Sequence, residues 1–294
     1  MDEIKSLAVI GPGRVGTAIA VAARRAGIRE IYLGGRHLDK VEESARLVEG
    51  AKAWRMAEAA HHAEIVLISV SDSSVELVAK QLAEEDAFAK GAVVAHLSGA
   101  LDSSVLKPAK ALCGAFIASA HPLNTYPSVA AAVDEKPGTH WFLEGDAEAI
   151  EKLSRLISLI GDLPHAITGE GKAIYHAASV VACNYLSTLM DTALEMMVQA
   201  NVDKDVAWKA LRPLVFATMS NIDNIGPQAA LTGPIARGDE VTVEKHMQAL
   251  HNSSEEQRRL YAALGLKTVD LALRKGSIDK DAANKITQKL KQMF

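Results

Sequence analysis

The first half of the chain alternates short apolar runs with segments of helical periodicity. Runs of strand-like length lie at 7–10, 30–35, 64–70, 92–99, 114–121 and 139–145, and a shorter one lies at 165–168. Continuous apolar runs are typical of parallel strands that helices cover on both faces. The pattern therefore predicts a doubly wound, mainly parallel α/β sheet.

The second half has a different pattern. Helical periodicities occupy 172–200, 205–221, 242–252, 254–264 and 279–293, and the sequence TGEG separates them from the first half. We therefore expect a Rossmann-like α/β domain over residues 1–169 and an all-α domain over residues 170–294.

Composition and charge narrow the function classes. The 294 residues are 49% hydrophobic and carry 32 basic against 36 acidic side chains, without a block of like charge. This balance argues against a nucleic-acid partner and favours a small-molecule ligand. Only Cys113 and Cys183 are cysteines, and the N-terminus, with two acids before its apolar run, does not resemble a secretory signal. We expect a cytoplasmic protein without a metal site.

One uncharged stretch, 173–190, has the length of a membrane span. The polar residues His176, Ser179 and Asn184 interrupt it. We therefore expect a helix buried within protein and no membrane partner.

A glycine motif follows the first predicted strand. The sequence GPGRVG fits G-x-G-x-x-G at the start of a predicted helix, which is the context that dinucleotide binding requires. Gly11 permits a tight turn, Gly13 lets the backbone approach a pyrophosphate, and Gly16 lets the helix pack closely on the strand. The positive end of the helix dipole, beginning at Arg14 and Val15, attracts phosphates.

The end of the second predicted strand indicates the choice of cofactor. An acid there would bind the ribose hydroxyl of NAD, but the sequence reads LGGRH and the nearest acid, Asp39, comes later. Arg36 can pair with the additional phosphate of NADP, so we predict NADP. Arg36 as a solvated surface cation is the alternative. Ser69, at the end of the third run, is a further candidate for cofactor binding.

Two more strand ends carry polar side chains. Ser98 follows the strand that contains His96, and His121 precedes Pro122 at the end of the next strand. Ligands of open parallel sheets bind at this edge, so Ser98 and His121 are candidate site residues. Ser98 as a turn serine, His96 as a core histidine and His121 as a structural residue of the turn are the alternatives.

A helix of otherwise small and apolar residues carries a polar stripe. Lys172, His176, Ser179 and Cys183 fall on one predicted face, with Asn184 at its edge. Reduction of a carbonyl needs a proton donor at the oxygen, and His176 or Lys172 suits that role, with Asn184 orienting the substrate. Satisfied core positions for His176 and Asn184 are the alternative.

Arg237 lies in the connector LTGPIARGD between helices. Its guanidinium is suited to pair bidentately with a carboxylate. An Arg-Asp surface pair is the alternative.

These motifs together resemble a known family. The chain resembles two-domain proteins that join a Rossmann-like NADP-binding domain to a helical domain of unknown function. The segments that carry this similarity are GPGRVG, HLSG, SAHPL, YHAASVVACNY and especially LTGPIARGD. Some members are described as an alternative type of ketopantoate reductase, and the group is similar to β-hydroxyacid, prephenate and pyrroline-5-carboxylate oxidoreductases. The resemblance implies a homodimer built through the helical domain.

The resemblance also implies residue roles. Ser98 and Gly99 correspond to the turn that contacts substrate in β-hydroxyacid dehydrogenases. In those enzymes a lysine precedes an asparagine by one helical turn. If Asn184 is that asparagine, Val180 replaces the lysine, so either His176 acts as the acid or the chemistry differs.

The sequence thus indicates an NADPH-dependent reductase of a small carboxylated carbonyl substrate, with ketopantoate the best single candidate. Arg237 and Ser98 would hold the carboxylate, Asn184 the carbonyl oxygen, and His176 would supply the proton. A non-catalytic NADP sensor, a cyclic-imine reductase of the pyrroline-5-carboxylate type and a prephenate-type oxidoreductase stay open as alternatives.

Overall fold

The computed structural model describes residues 4–133 and 137–294. The two acids of the N-terminus, Asp2 and Glu3, lie outside the described residues. The chain divides into two compact units, Met1–Asn184 and Tyr185–Phe294, each with its own hydrophobic core.

The first unit is built on one eight-stranded sheet. Its strands are β1 Ser6–Ile10, β2 Glu30–Gly34, β3 Lys52–Trp54, β4 Ile65–Ile68, β5 Val93–His96, β6 Phe116–Pro122, β7 His140–Gly145 and β8 Leu163–Ala166. They lie in the order β3-β2-β1-β4-β5-β6-β7-β8, and every neighbouring pair is parallel except β6 with β7. The order of β1 to β6 is that of a Rossmann fold, as the sequence predicts.

Helices cover both faces of this sheet. They are α1 Arg14–Arg25, α2 Leu38–Ala45, α3 Met56–His61, α4 Asp72–Glu84, α5 Lys107–Cys113, α6 Val129–Val133, α7 Ala147–Leu159 and α8 Lys172–Ser179. In β1, Leu7 and Val9 belong to the core beneath α1 and α7, whereas Ala8 and Ile10 belong to the core beneath α3, α4 and α5. Because both faces are buried, the strands read as continuous apolar runs.

The second unit is helical throughout the described residues. Its helices are α9 Tyr185–Gln199, α10 Lys204–Ala230, α11 Glu240–Ala249, α12 Glu255–Lys275 and α13 Lys280–Lys291. At the start of each helix from α10 to α13, one side chain accepts a hydrogen bond from a backbone N–H group. These side chains are Asp203, Asp239, Ser254 and Asp279. The predicted all-α domain is confirmed.

The structure places the division between the units later than the sequence predicted. The expected boundary between residues 169 and 170 lies before α8, whereas the units divide after Asn184. The physical reason is Lys172, whose ammonium group binds two groups at the edge of the sheet and so fastens α8 to the first unit.

The predicted continuous helix over 172–200 is interrupted. A π-helical segment, Val180–Asn184, separates α8 from α9. The expectation that this stretch is buried is wrong for the single chain, because Lys172 is the one residue of α8 that is buried and neither following segment buries a residue. Ile174 is 73% exposed and Val181 60% exposed. Among the described residues, no helix is both long and apolar enough to cross a membrane.

Candidate active site

The glycine motif forms the tight turn between β1 and α1. Gly11 has φ +79° and its N–H donates to the carbonyl oxygen of Gly34 on β2 at 2.8 Å. A Cβ atom at Gly11 would lie 2.6 Å from Cγ1 of Val70. Both the backbone angle and the lack of space require glycine there.

The other two glycines of the motif differ in the space around their Cα atoms. A Cβ atom at Gly16 would lie 2.6 Å from Cγ1 of Val9 and 2.9 Å from Oγ of Ser69, so this glycine allows α1 to pack on the sheet. A Cβ atom at Gly13 would meet nothing within 4 Å. The backbone at Gly13 is therefore open on the side from which a phosphate group would approach.

A cavity of about 350 Å³ adjoins this turn. Gly11, Gly13 and Ser69, three of the residues predicted to bind the cofactor, line one side of it. Three basic residues, Arg36, His37 and Lys40, line another part, and none of the described residues that line it carries a carboxylate. Aliphatic and thioether side chains complete the wall: Val41, Met56, Val70, Leu77 and Val78. Such a lining suits a planar base together with phosphate groups.

Arg14 and Val15 have structural contacts. The Arg14 guanidinium donates to the carbonyl oxygens of Tyr126 and Pro127, at 3.1 Å each. Val15 is half-buried and packs against the core. Their predicted role in cofactor binding therefore depends on the helix start to which they belong and not on their side chains.

Ser98 forms the turn after β5. Its hydroxyl donates to Oδ2 of Asp72 at 2.8 Å and accepts the N–H groups of Ala100 and Leu101 at 3.2 and 3.1 Å. The side chain is buried and these bonds use its hydrogen-bonding capacity. This geometry matches the alternative of a turn serine.

His96 is a core histidine. Its Nδ1 accepts the N–H of Ser98 at 3.2 Å, and its Nε2 lies 3.1 Å from the carbonyl oxygen of Asp102. Burial is the main cause that lowers the pKa of His96 to about 4, so the ring is neutral near pH 7. His96 therefore shapes the Ser98 turn.

Lys172 is the most buried cation of the site, at 1% exposure. Its Nζ donates to the carbonyl oxygen of Ser98 at 3.0 Å and to the Ser119 hydroxyl. Burial is the main cause that lowers the pKa of Lys172 to about 8, while the carboxylates of Glu144 and Asp72 oppose the shift. The ammonium group joins α8 to the turn after β5 and to the middle of β6.

Two imidazole rings meet over Gly99. A Cβ atom at Gly99 would lie 2.5 Å from Cδ2 of His176 and 2.9 Å from Nε2 of His121, so only glycine leaves room for both rings. The ring centroids of His121 and His176 are 6.0 Å apart. Because β4, β5 and β6 are parallel neighbours, these rings lie at the same sheet edge as the glycine turn.

His121 also contacts a tyrosine that the sequence reasoning missed. Its Nδ1 lies 2.8 Å from the hydroxyl oxygen of Tyr175 on α8. Burial is the main cause that lowers the pKa of His121 to about 4, and burial raises the pKa of Tyr175 to about 12. The only sequence signal was the position of Tyr175 on the polar helix, directly before His176.

The predicted polar face of the helix continues only part of the way. Lys172, His176 and Ser179 are buried or half-buried, but Cys183 and Asn184 are exposed. Residues 181–185 are all exposed, so this exposure belongs to the whole segment and not to one of its faces. The π-helical segment Val180–Asn184 interrupts the α-helical spacing on which the predicted shared face depends.

Arg237 lies in the second unit, in a short 3-10 turn, and is exposed. The neighbouring Asp239 accepts the N–H and hydroxyl groups of Thr242 at 3.0 and 2.7 Å. The Asp239 carboxylate therefore serves as a helix cap, and the carboxylate-binding role of Arg237 stays a prediction.

Comparison with protein families identifies two matches. The family of Rossmann-like domains matches residues 3–122, and a domain of unknown function, DUF2520, matches residues 139–268. No curated protein sequence gave a significant match.

Solved structures share the fold over most of the chain. A putative NADP oxidoreductase from Bacteroides fragilis is 25% identical, with a TM-score of 0.69 over 89% of this chain and 96% of that chain. A pyrroline-5-carboxylate reductase from Coxiella burnetii is 18% identical, with a TM-score of 0.57 over 99% of both chains. A reductive aminase from Aspergillus terreus, in complex with NADPH and ethyl-5-oxohexanoate, is 11% identical, with a TM-score of 0.59 over 99% of this chain and 93% of that chain.

Proposed function

This chain joins a Rossmann-like domain to a DUF2520 domain, and from that premise we propose that it is an NADPH-dependent reductase of a small carboxylated carbonyl compound. The observation that carries the proposal is the shared sheet edge. The open glycine turn and the paired imidazoles of His121 and His176 occupy it together. Carbonyl reduction requires a cofactor site and a proton source, and ligands of open parallel sheets bind at this edge.

The residues of the glycine turn fit the cofactor. The backbone around Gly13 and the start of α1 would hold the pyrophosphate, and Arg36 and Lys40 would pair with the additional phosphate. When bound, NADPH supplies the hydride that the carbonyl carbon accepts. The assignment of an NADP-dependent oxidoreductase agrees with the relatives from Bacteroides fragilis and Aspergillus terreus.

The paired histidines are suited to different roles. His121 is neutral near pH 7 because its pKa is lowered, so it does not serve as a cationic acid. His176, half-buried beside it, would give a proton to the carbonyl oxygen as the alcohol forms. Ser98 shapes the turn after β5, and the roles of Arg237 toward the substrate carboxylate and of Asn184 toward the carbonyl oxygen stay predictions from the sequence.

Ketopantoate is the best single substrate candidate. It combines a carbonyl group with a carboxylate, and the resemblance to the alternative type of ketopantoate reductase favours it. The likeness to pyrroline-5-carboxylate reductase keeps a cyclic imine as the second candidate.

The test is NADPH consumption by the purified protein with ketopantoate, other 2-oxo acids and pyrroline-5-carboxylate. We expect turnover of ketopantoate that His176→Ala abolishes while NADPH binding persists. Tight NADPH binding without turnover of any of these compounds would contradict the proposal and favour the NADP sensor.

The cofactor preference has its own test. Arg36→Ala should weaken binding of NADPH but not of NADH, because only NADPH carries the additional phosphate. Arg29→Ala is the matched control, since Arg29 directly precedes β2 and Arg36 follows its other end. Equal affinity of the unaltered protein for NADPH and NADH would contradict the NADP assignment.

We further propose that the protein is a homodimer built through its helical unit. Large apolar side chains lie exposed along α10: Leu214 at 64%, Phe216 at 61% and Ile225 at 59%. Exposed apolar surface of this extent on one helix is typical of an interface. A second copy of the chain, presenting the same surface, is the simplest occupant.

A further inference from the structure

The hydrogen bond between Tyr175 and His121 joins α8 to the end of β6. The hydroxyl oxygen of Tyr175 lies 2.8 Å from Nδ1 of His121. The two rings meet edge to face, with centroids 5.7 Å apart and planes at 79°. The tyrosine ring also packs on Phe142 of β7 at 4.6 Å between centroids, so its position does not depend on the hydroxyl group alone.

The tautomer of the His121 ring decides which atom donates in this bond. Burial raises the pKa of Tyr175 to about 12, so its phenol keeps a proton to donate. Burial lowers the pKa of His121 to about 4, so its ring is neutral near pH 7 and has one donor and one acceptor nitrogen. If Nδ1 accepts a hydrogen bond from the phenol hydroxyl, the proton of the neutral ring must be on Nε2.

The Nε2 atom of His121 lies beside the Gly99 turn. A Cβ atom built on Gly99 would lie 2.9 Å from this nitrogen and 2.5 Å from Cδ2 of His176, so both imidazoles lie directly against this glycine. His121 is half-buried, and Tyr175 occupies only its Nδ1 side. A proton on Nε2 makes His121 a hydrogen-bond donor on the side of the ring away from Tyr175, next to His176.

We propose that Tyr175 is a positioning residue that fixes His121 as the Nε2–H tautomer, so that His121 donates a hydrogen bond to the substrate oxygen. This inference rests on the proposed function. Negative charge develops on a carbonyl oxygen as its carbon is reduced, and an oriented donor stabilises that charge. His121 keeps its proton throughout, while His176 supplies the proton that completes the alcohol.

The tautomer of His121 is measured directly by NMR on protein labelled with nitrogen-15 histidine, with NADPH present. We expect the ring signals of His121, assigned with His121→Gln, to show a protonated Nε2 and an unprotonated Nδ1. Tyr175→Phe, which retains the ring packed on Phe142, should lose this single tautomer. A protonated Nδ1 in the unaltered protein, or an unchanged tautomer in Tyr175→Phe, would overturn the proposal.

Kinetics separate positioning from a structural role. We expect Tyr175→Phe to lower kcat at least about 10-fold with little change in KM, the pattern for an interaction made in the transition state. Tyr261→Phe is the matched control, because Tyr261 bonds Nδ1 of His246 at 2.9 Å in the second unit with rings at 86°. Its kcat should be unchanged.

The two proposals fail in different ways. If no substrate is turned over while the His121 tautomer depends on Tyr175, the reductase proposal fails and the positioning of His121 stands. If turnover occurs and Tyr175→Phe keeps full kcat, the reductase proposal stands and the role of Tyr175 is overturned.

Discussion

Two glycines of the motif, Gly13 before α1 and Gly16 within it, serve different purposes. A methyl group at Gly16 would lie less than 3 Å from side-chain atoms of Val9 and Ser69, whereas Gly13 faces open space. We expect Gly16→Ala to destabilise the fold, since α1 must move away from the sheet, and Gly13→Ala to leave stability unchanged but weaken NADPH binding. Thermal unfolding and cofactor titration of both variants measure this. A Gly13→Ala protein with unaltered NADPH affinity would contradict the assigned loop function.

Gly99 provides a second test at the level of a single residue. A methyl group there would collide with the rings of His121 and His176, so Gly99→Ala should abolish turnover while NADPH binding persists. Gly169→Ala is the matched control, because a Cβ atom at Gly169 makes only ordinary contacts at 3.6 Å or more. If both variants turn over substrate equally, the histidine pair is not the reaction centre.

The sequence predicted local features of the site better than those that depend on the folded chain. The glycine motif is a local pattern, so its turn and helix start followed from spacing alone. The bond between His121 and Tyr175 joins residues 54 positions apart, and no local pattern indicates it. The place of Ser98 after a strand followed from the sequence, but its bond to Asp72, after another strand, is not revealed by spacing.

The attachment of α8 to the sheet should depend on pH. Lys172 has a pKa of about 8 in the folded protein and about 10.5 when unfolded, so between these values the unfolded chain binds more protons. The contribution of Lys172 to the free energy of unfolding therefore rises with pH across this window, by up to about 3 kcal/mol. Below pH 8 Lys172 is protonated in both the folded and the unfolded chain, so its contribution to the free energy of unfolding does not change with pH.

Urea unfolding at pH 7.5 and 9.5 tests this linkage. We expect the free energy of unfolding of the unaltered protein to rise with pH relative to that of the Lys172→Met variant. The methionine side chain keeps the apolar stem but cannot ionise. A constant difference between the two proteins at both pH values would show that the Lys172 pKa is not lowered by folding.

Elements with strong periodicity were predictable and short or irregular ones were not. The long apolar runs predicted most strands of the sheet, but β3 has three residues and no periodic signal. The π-helical segment Val180–Asn184 was also missed, because α-helical spacing was assumed throughout 172–200. This segment interrupts the spacing between His176 and Asn184.

At the scale of the whole molecule, the exposed apolar surface of α10 predicts self-association. Light scattering should give twice the chain mass of 31.3 kDa, and Phe216→Asp should yield monomer with unchanged helical content. Leu112→Asp is the matched control, since Leu112 is equally exposed, at 61%, but lies on α5 of the first unit. A monomeric unaltered protein would contradict the dimer.

The two-domain organisation was predictable because the change from strand-like to helical periodicity is abrupt. The point of division was not, since it depends on Lys172 reaching Ser98 and Ser119 across the fold. The proposed function rests, at this scale, on the glycine turn and the histidine pair sharing one sheet edge.

Transfer of deuterium from NADPH labelled at the reactive carbon of the nicotinamide tests the central claim most directly. The account predicts that ketopantoate yields an alcohol with deuterium at the former carbonyl carbon, detected by mass spectrometry, and that His176→Ala yields none. An unlabelled product, or no product from any carboxylated carbonyl compound despite bound NADPH, would contradict it.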